Sequence, residues 1–387
     1  MLFVTGAYAP EFSAGGLQSQ AVARALGGRA AIRILTTATD PALKRDDAVD
    51  AVPVSRIVVD LTSRWSRIRA TLQMVVELMR ILPRVDLVHV QGFSTKNIPI
   101  AAAARLFRRP LVLHLQTAKH DEPDTIKAQG RLAWWAYASA DLYLSVSPGL
   151  TAHYRAAGLP LDRIREVPNG VDATRFAPAS VDERAARRRR LSLPADRPMV
   201  LFVGVVSPDK QPDVLFDAWV RQQHDARLAS TLVFVGATDP ALFELGGRLI
   251  DRLRAAVAAS GFGERVFFVP PTKHVDDYFR AADVFALPSA REGLPIALLE
   301  AMACGLPCVA SHLPGATDVM VEPGVNGLLV PPGDGLALSK AIGDLLTDPA
   351  AAARMGAAAR RTVETRYTME RVAEMWLAAY EHVLANR

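Results

Sequence analysis

From Leu2 onward, short apolar runs alternate with stretches whose apolar residues recur at helical spacing. The runs Leu2–Thr5, Ile32–Leu35, Leu87–Val90, Leu111–Leu115, Leu142–Val146 and Ile164–Val167 predict strands. Helices are predicted over Gly16–Leu26, Arg67–Leu82, Lys96–Phe107 and Arg131–Ser139. Such alternation predicts a parallel sheet covered by helices. The pattern pauses at the polar segment ERAARRRRLSLPADRP, read as a solvated linker helix, and then restarts. Strands are predicted at Val200–Val203, Leu232–Val235, Val266–Val269 and Asp283–Pro288, with helices over Val214–Gln222 and Phe243–Ser260. A last helix, Thr368–Ala385, carries Met369, Val372, Met375, Trp376, Ala379, Tyr380 and Val383 as a packing face. The fold class is therefore α/β. Two Rossmann-like domains, residues 1–178 and 179–366, are expected to face an interdomain cleft, followed by a C-terminal helix over 367–387. Ligands of open parallel sheets bind beyond the strands' carboxyl ends, so two such domains can enclose one elongated ligand.

Composition narrows the possibilities. The chain has 387 residues, half of them apolar, enough for two cores. Its longest uncharged stretches are broken by Gly and Pro, so no membrane span is expected. The N-terminus has no basic lead or apolar signal core, so a cytoplasmic location is expected. Cys304 and Cys308 read as buried fillers, and the lack of Cys/His clusters predicts no metal site. The net charge of +5 and the run Arg187–Arg190 raise the question of nucleic acid. No stacking aromatics interleave that run, so no nucleic-acid partner is expected. The segment SRWSRIRATLQMVVELMRILPR reads as a core-facing helix with a basic start. The alternative is a helix touching a membrane-bound lipid acceptor, a peripheral contact at the inner membrane face.

The densest chemical signal is ADVFALPSAREGLPIALLEAMACGLPCVAS, Ala282–Ser311. It reads as strand, turn, helix and strand, with Pro295 suited to the first helical position and Gly305-Leu306-Pro307 ending the helix. Glu292 lies in the loop and Glu300 in the helix. The first N–H groups, around Gly293, Leu294, Pro295 and Ile296, would face the strand's carboxyl end and can hold an anion. Two solvated acids at a helix start would be the plainer reading. A diphosphate there would instead put one glutamate near sugar hydroxyls and the other near a nucleotide ribose.

This segment resembles the E-x7-E signature of the retaining family 4 glycosyltransferases, and the resemblance extends over essentially the whole chain. It implies the GT-B fold, in which the C-terminal helix over 367–387 crosses back to the first domain, and a nucleotide-sugar donor. TGAYAPEFSAGGLQSQAVARAL resembles the family's first strand, glycine loop and helix, with Gly15 and Gly16 letting backbone approach a phosphate or sugar. LFVGVVSPDK resembles the strand and loop that grip the donor diphosphate: Gly204 and Lys210 are in place, but Val205 stands where the family has arginine. Arg291 is the nearest candidate to compensate. RPLVLHLQTAKHDEP ends a strand with His114 and Gln116 facing one way. Relatives carry a histidine near the donor sugar here, and either residue is a candidate, His114 as a proton acceptor or relay. His89 and His120 are further histidines near strand ends. The VPNGVD turn at Val167–Asp172 and the NGLLVPPGD segment from Asn326 also resemble the family.

The resemblance implies sugar transfer to a hydroxyl with retention. Glu292, Lys210 and His114 are the catalytic candidates. Gly15, Gly16, Gln116, Gly204, Arg291, Gly293, Leu294, Pro295, Ile296 and Glu300 are the donor-binding ones. The expected partners are the donor and a glycan, lipid-linked or small-molecule acceptor, and no cofactor is expected. The chain lacks Asp-x-Asp, which predicts metal-independent transfer. A nucleotide-sugar epimerase and a weakly active donor-binding paralogue are the alternatives. A dinucleotide oxidoreductase is disfavoured because no G-x-G-x-x-G follows either first strand.

Overall fold

The structure, a computed structural model, describes residues 1–11, 13–236 and 247–386. The chain divides into two compact units: Met1–Gly170 with Met369–Arg387, and Val171–Thr368. Residues 171–178 thus group with the second unit, whereas the sequence reading ends the first domain at 178.

The first unit is built on β1 (Leu2–Thr5), β2 (Arg33–Ala38), β3 (Asp46–Val49), β4 (Val52–Val58), β5 (Val88–Gln91), β6 (Leu111–Leu115), β7 (Leu142–Ser145) and β8 (Ile164–Glu166). They form a sheet in the order β3-β4-β2-β1-β5-β6-β7-β8, parallel except for β3. The β3–β4 hairpin escapes the apolar pattern because DDAV offers no core face and β4 carries Arg56. That arginine is buried. Its guanidinium is held by Asp47 at 2.9 Å and by the Ala9 carbonyl at 2.6 Å, so the charge is neutralised and hydrogen-bonded. Helices at Pro123–Ala128 and Pro148–Ala156 were also not foreseen. The C-terminal helix, Met369–Ala385, completes this unit. Its Val372, Trp376 and Tyr380 join Phe3, Val22 and Leu26 in one core. A fully buried side chain of this size contributes roughly 2–3 kcal/mol.

The second unit contains β9 (Met199–Val203), β10 (Thr231–Val235), β11 (Val266–Val269), β12 (Val284–Leu287), β13 (Cys308–Ser311) and β14 (Leu328–Val330). Their order is β11-β10-β9-β12-β13-β14, all parallel. The strand side chains are apolar on both faces because helices cover both. The predicted helix over 243–260 begins among residues that lie outside those described, and its described part is Gly247–Ala259.

Two helices depart from expectation. Val181–Arg190 is not a solvated linker. Ser180 and Glu183 form a capping box at its start, and its arginines then fold back onto the second unit. Arg187 and Arg190 meet Asp277 at 2.6 and 2.8 Å, while Arg188 is buried against Asp283 and donates to the Ala281 carbonyl at 2.8 Å. Sequence charge runs look solvated when their carboxylate partners lie about ninety residues away. The second helix, Arg64–Ile81, was expected to turn its apolar face to the core. It buries Ala70, Met74, Glu77, Leu78 and Ile81 and leaves a second apolar stripe outside.

Candidate functional site

In an open parallel sheet, loops diverge where the strand order reverses, leaving a crevice at the carboxyl ends of the two central strands. In the second unit those strands are β9 and β12. The loop after β9 runs from Gly204 to Gln211, and the loop after β12 from Pro288 to Pro295. They are tied together three times. Lys210 Nζ lies 2.5 Å from Glu292 Oε1, Arg291 Nη2 lies 2.6 Å from Asp209 Oδ2, and the Ala290 N–H donates to the Asp209 carbonyl at 2.7 Å. Gly204 lines the start of this crevice. Its carbonyl is so close to Gly236 that a Cβ on Gly236 would overlap it, and Gly236 has a φ of 141° that only glycine adopts readily. Val205 brings no charge, and Arg291 is engaged with Asp209.

The helix Ile296–Ala303 begins directly beyond this ion pair. Pro295 is its N-cap rather than its first helical residue, with an extended backbone (φ −71°, ψ 116°) and no side chain to cap the turn. The first N–H groups of a helix have no intrahelical acceptor, so Ile296 and its successors present a partial positive charge. Gly293 and Leu294 form the buried turn before them. Glu300 sits one turn further along and makes no side-chain hydrogen bond among the described residues. Burial pushes its carboxyl up to about 8; Arg175 opposes the shift and Asp276 adds to it. Arg175 and Asp276 are themselves paired at 2.7 Å. Arg175 carries no sequence signal of this part, because nothing local relates the residues after VPNGVD to a helix over a hundred positions later.

In the first unit the reversal falls between β1 and β5. The helix Ala14–Leu26 starts there, capped by Ser13, whose hydroxyl accepts from the Gly16 N–H at 3.0 Å and donates to the Ala7 carbonyl at 2.9 Å. Gly15 and Gly16 lie in the helix's first turn, where the sequence places the helix start. A Cβ on Gly16 would overlap the Ala7 carbonyl oxygen. A Cβ on Gly15 would stand 3.0 Å from Gln91 Cβ and 3.1 Å from Gln116 Oε1. Gln91 and Gln116, at the ends of β5 and β6, hydrogen-bond each other, and Gln91 also donates to Ser19 at 2.9 Å. Buried Asp121 fixes these strand ends by accepting from the N–H groups of Phe93, Gln116 and Thr117 at 2.7–2.9 Å. Nothing in KHDEP marked that role in advance.

The histidines divide differently from expectation. His114 is 0% exposed, and its ring meets Trp376 and His89 edge-on. Burial pushes it down to about 3, so it stays neutral and does not share the strand-end position of Gln116. This removes it from the proton-transfer candidates. His89 is likewise sealed, with Nδ1 2.9 Å from the Tyr380 hydroxyl. His120 is exposed beside Asp121. Lys96 has no motif around it to mark it in the sequence. Its ammonium donates to Thr37 at 3.2 Å near the end of β2 and has no carboxylate within ion-pair distance among the described residues.

Two family models match this chain: one described as Glycosyl transferases group 1 over residues 183–362, the other as Glycosyl transferase 4-like domain over residues 15–170. A D-inositol 3-phosphate glycosyltransferase of Xylanimonas cellulosilytica is 37% identical over 240 residues, covering 60% of this chain and 54% of that protein. The chain spans about half the length of the curated relatives it matches. Among solved structures, Anabaena HepE in complex with UDP-glucose superimposes with a TM-score of 0.81 at 22% identity, covering 98% of this chain and 99% of that one. Sucrose-phosphate synthase from Thermosynechococcus elongatus gives 0.82 at 23%, covering 100% and 99%. These likenesses show the shared fold.

Proposed function

The chain belongs to the family 4 glycosyltransferases of GT-B fold, and from that premise we propose that it moves a sugar from a nucleotide diphosphate sugar to an acceptor hydroxyl, with retention at the anomeric carbon. The observation that carries the proposal is the Lys210–Glu292 pair at the reversal point of the second sheet, beside the start of the helix bearing Glu300. A diphosphate entering there takes over the Lys210 ammonium and the N–H groups from Ile296 onward. Glu292 is then released to orient the sugar and to stabilise positive charge as the glycosidic bond breaks. Glu300 serves the ribose hydroxyls. The acceptor hydroxyl attacks the anomeric carbon on the face that the diphosphate leaves, and the departing phosphate oxygen takes its proton. No metal ion is required in this scheme.

The first unit binds the acceptor. Relatives named as D-inositol 3-phosphate glycosyltransferases make a phosphorylated polyol the acceptor to try first. Lys96, with no carboxylate partner among the described residues, is the residue to meet its phosphate. A second reading, a donor-binding paralogue with slow turnover, is favoured by Val205, which leaves one cation where the family has two.

A thermal-shift screen of UDP, GDP, ADP and their sugars tests the donor, since a ligand at a hundred times its Kd stabilises by about 2.7 kcal/mol. One nucleotide class should raise the Tm and release nucleotide when an acceptor is supplied. Glu292→Ala should abolish transfer while leaving nucleotide binding within a few-fold. Undiminished turnover in that variant would refute the assignment.

A further inference from the structure

The surface that the donor chemistry leaves unused is the outer side of the helix Arg64–Ile81. Trp65 is 81% exposed, Leu72 64% and Val76 61%, and Ile68, Val75 and Met79 are exposed beside them. At 3.6 residues per turn these six side chains fall in one sector roughly 100° wide. The buried residues of the same helix, Ala70, Met74, Glu77, Leu78 and Ile81, lie on the opposite side. The helix therefore has two apolar faces, one spent on the core and one in water.

Charge identifies what the outer face fits. Arg64, Arg67 and Arg69 are exposed and have no carboxylate within ion-pair distance among the described residues. At helical spacing Arg64 and Arg69 border the two sides of the stripe, and Arg67 lies further round toward the core side. The helix's one acid, Glu77, is buried and paired with Arg45 and Arg80 on the inner side. An apolar stripe with a large aromatic at its end, cationic margins and no exposed acid is complementary to an anionic lipid surface. A second copy of the chain would bring the same unneutralised arginines to the contact. Among the described residues no helix is long and apolar enough to cross a membrane, so the helix would lie in the plane of the headgroups.

We propose that the helix Arg64–Ile81 is a membrane-surface anchor that binds anionic bilayers through Trp65, Leu72 and Val76 and their flanking arginines. The proposal does not depend on the sugar-transfer reading. It is tested by co-sedimenting the full chain with phosphatidylcholine vesicles, with and without phosphatidylglycerol. Binding is expected only with the anionic lipid and should weaken as salt rises. Arg64→Gln/Arg69→Gln should lower the partition about 25-fold, at about fivefold per arginine. Trp65→Ser/Leu72→Ser/Val76→Ser should remove sedimentation. Both variants change exposed positions, so their melting temperatures and nucleotide-induced shifts should match those of the parent chain. Failure of the parent chain to bind anionic vesicles, or equal binding by both variants, overturns the proposal. So does light scattering that shows a dimer dissociated by the serine variant without lipid, since the stripe would then be an interface between copies.

Discussion

The two sheets reverse their strand order in the same manner, yet their reversal points carry opposite kinds of chemistry. At β1 and β5 the strand ends present amides: Gln91 and Gln116 bonded to each other, with Asp121 beneath spending its charge on backbone N–H groups. At β9 and β12 they present ions, Lys210 with Glu292 and Arg291 with Asp209, in front of an uncapped helix start. Amides discriminate neutral hydroxyls by geometry, whereas an ammonium and a helix N-terminus stabilise phosphate charge. One architecture thus carries two differently equipped crevices, and the residues on the loops decide what each can hold.

The largest expected effect falls on the ionic side. Lys210→Ala should lower kcat/KM by about a hundredfold or more, since a group stabilising leaving-group charge commonly contributes ~3 kcal/mol. Gln116→Ala removes a neutral hydrogen bond and should cost about tenfold at most. Steady-state kinetics with the donor found by the thermal-shift screen measures both, and equal losses would break the comparison.

The glycines sharpen it from the side of stability. A Cβ on Gly16 meets a backbone carbonyl that cannot move aside, so Gly16→Ala should destabilise the first unit by about 1–3 kcal/mol in urea unfolding. Gly15→Ala meets two glutamine side chains that can shift, and should cost less than about 1 kcal/mol. A reversed order would place the tight approach at the amide pair rather than under the strand end.

How much of this could be read from residues alone depended on distance along the chain. The E-x7-E segment was legible because its strand, turn and helix are contiguous, so Glu292 and Glu300 fell where spacing put them. Lys210 was legible by resemblance, although its contact with Glu292 spans 82 positions. Arg175, Asp121 and Ser13 were not. Arg175 and Asp121 act on groups fixed by tertiary packing, and Ser13 precedes glycines that already read as the helix start. His114 failed for a related reason. Period two shows that His114 and Gln116 share a face of β6, but not that Trp376, from the far end of the chain, covers one of them. The helix Arg64–Ile81 has the expected core face, but its second stripe was not legible, because apolar residues on two opposite faces look in sequence like one broad core face.

Val205→Arg asks whether the ionic site is incomplete. Val205 is half-buried in the loop after β9, five residues before Lys210. A guanidinium there adds a second cation to the diphosphate and should tighten nucleotide binding by about fivefold, as about 1 kcal/mol for one partly exposed charge pair. Binding should also become more salt-sensitive. Calorimetry at two ionic strengths measures both, and unchanged affinity would mean that the helix N–H groups and Lys210 already suffice.

The pH dependence of Glu300 separates the ionic side into a charged part and one that is neutral until a ligand arrives. Its carboxyl is raised from the ordinary 4.5 to about 8, chiefly by burial. The folded chain therefore holds this proton more tightly than the unfolded one. The associated stability is fully present below about pH 4.5 and is lost as pH rises through about 8. Glu300→Gln keeps the shape and removes the titration. Its Tm should match the parent's near pH 4.5, then exceed it by a growing margin that levels off above pH 8. If Glu300 accepts two ribose hydroxyls as a carboxylate, nucleotide binding at pH 7 should also expel its proton. Calorimetry in buffers of different ionisation enthalpy would detect that release in the parent and not in the glutamine variant. A parallel pair of Tm profiles would show instead that water or a neighbouring cation already holds Glu300 ionised, making it as charged as Glu292.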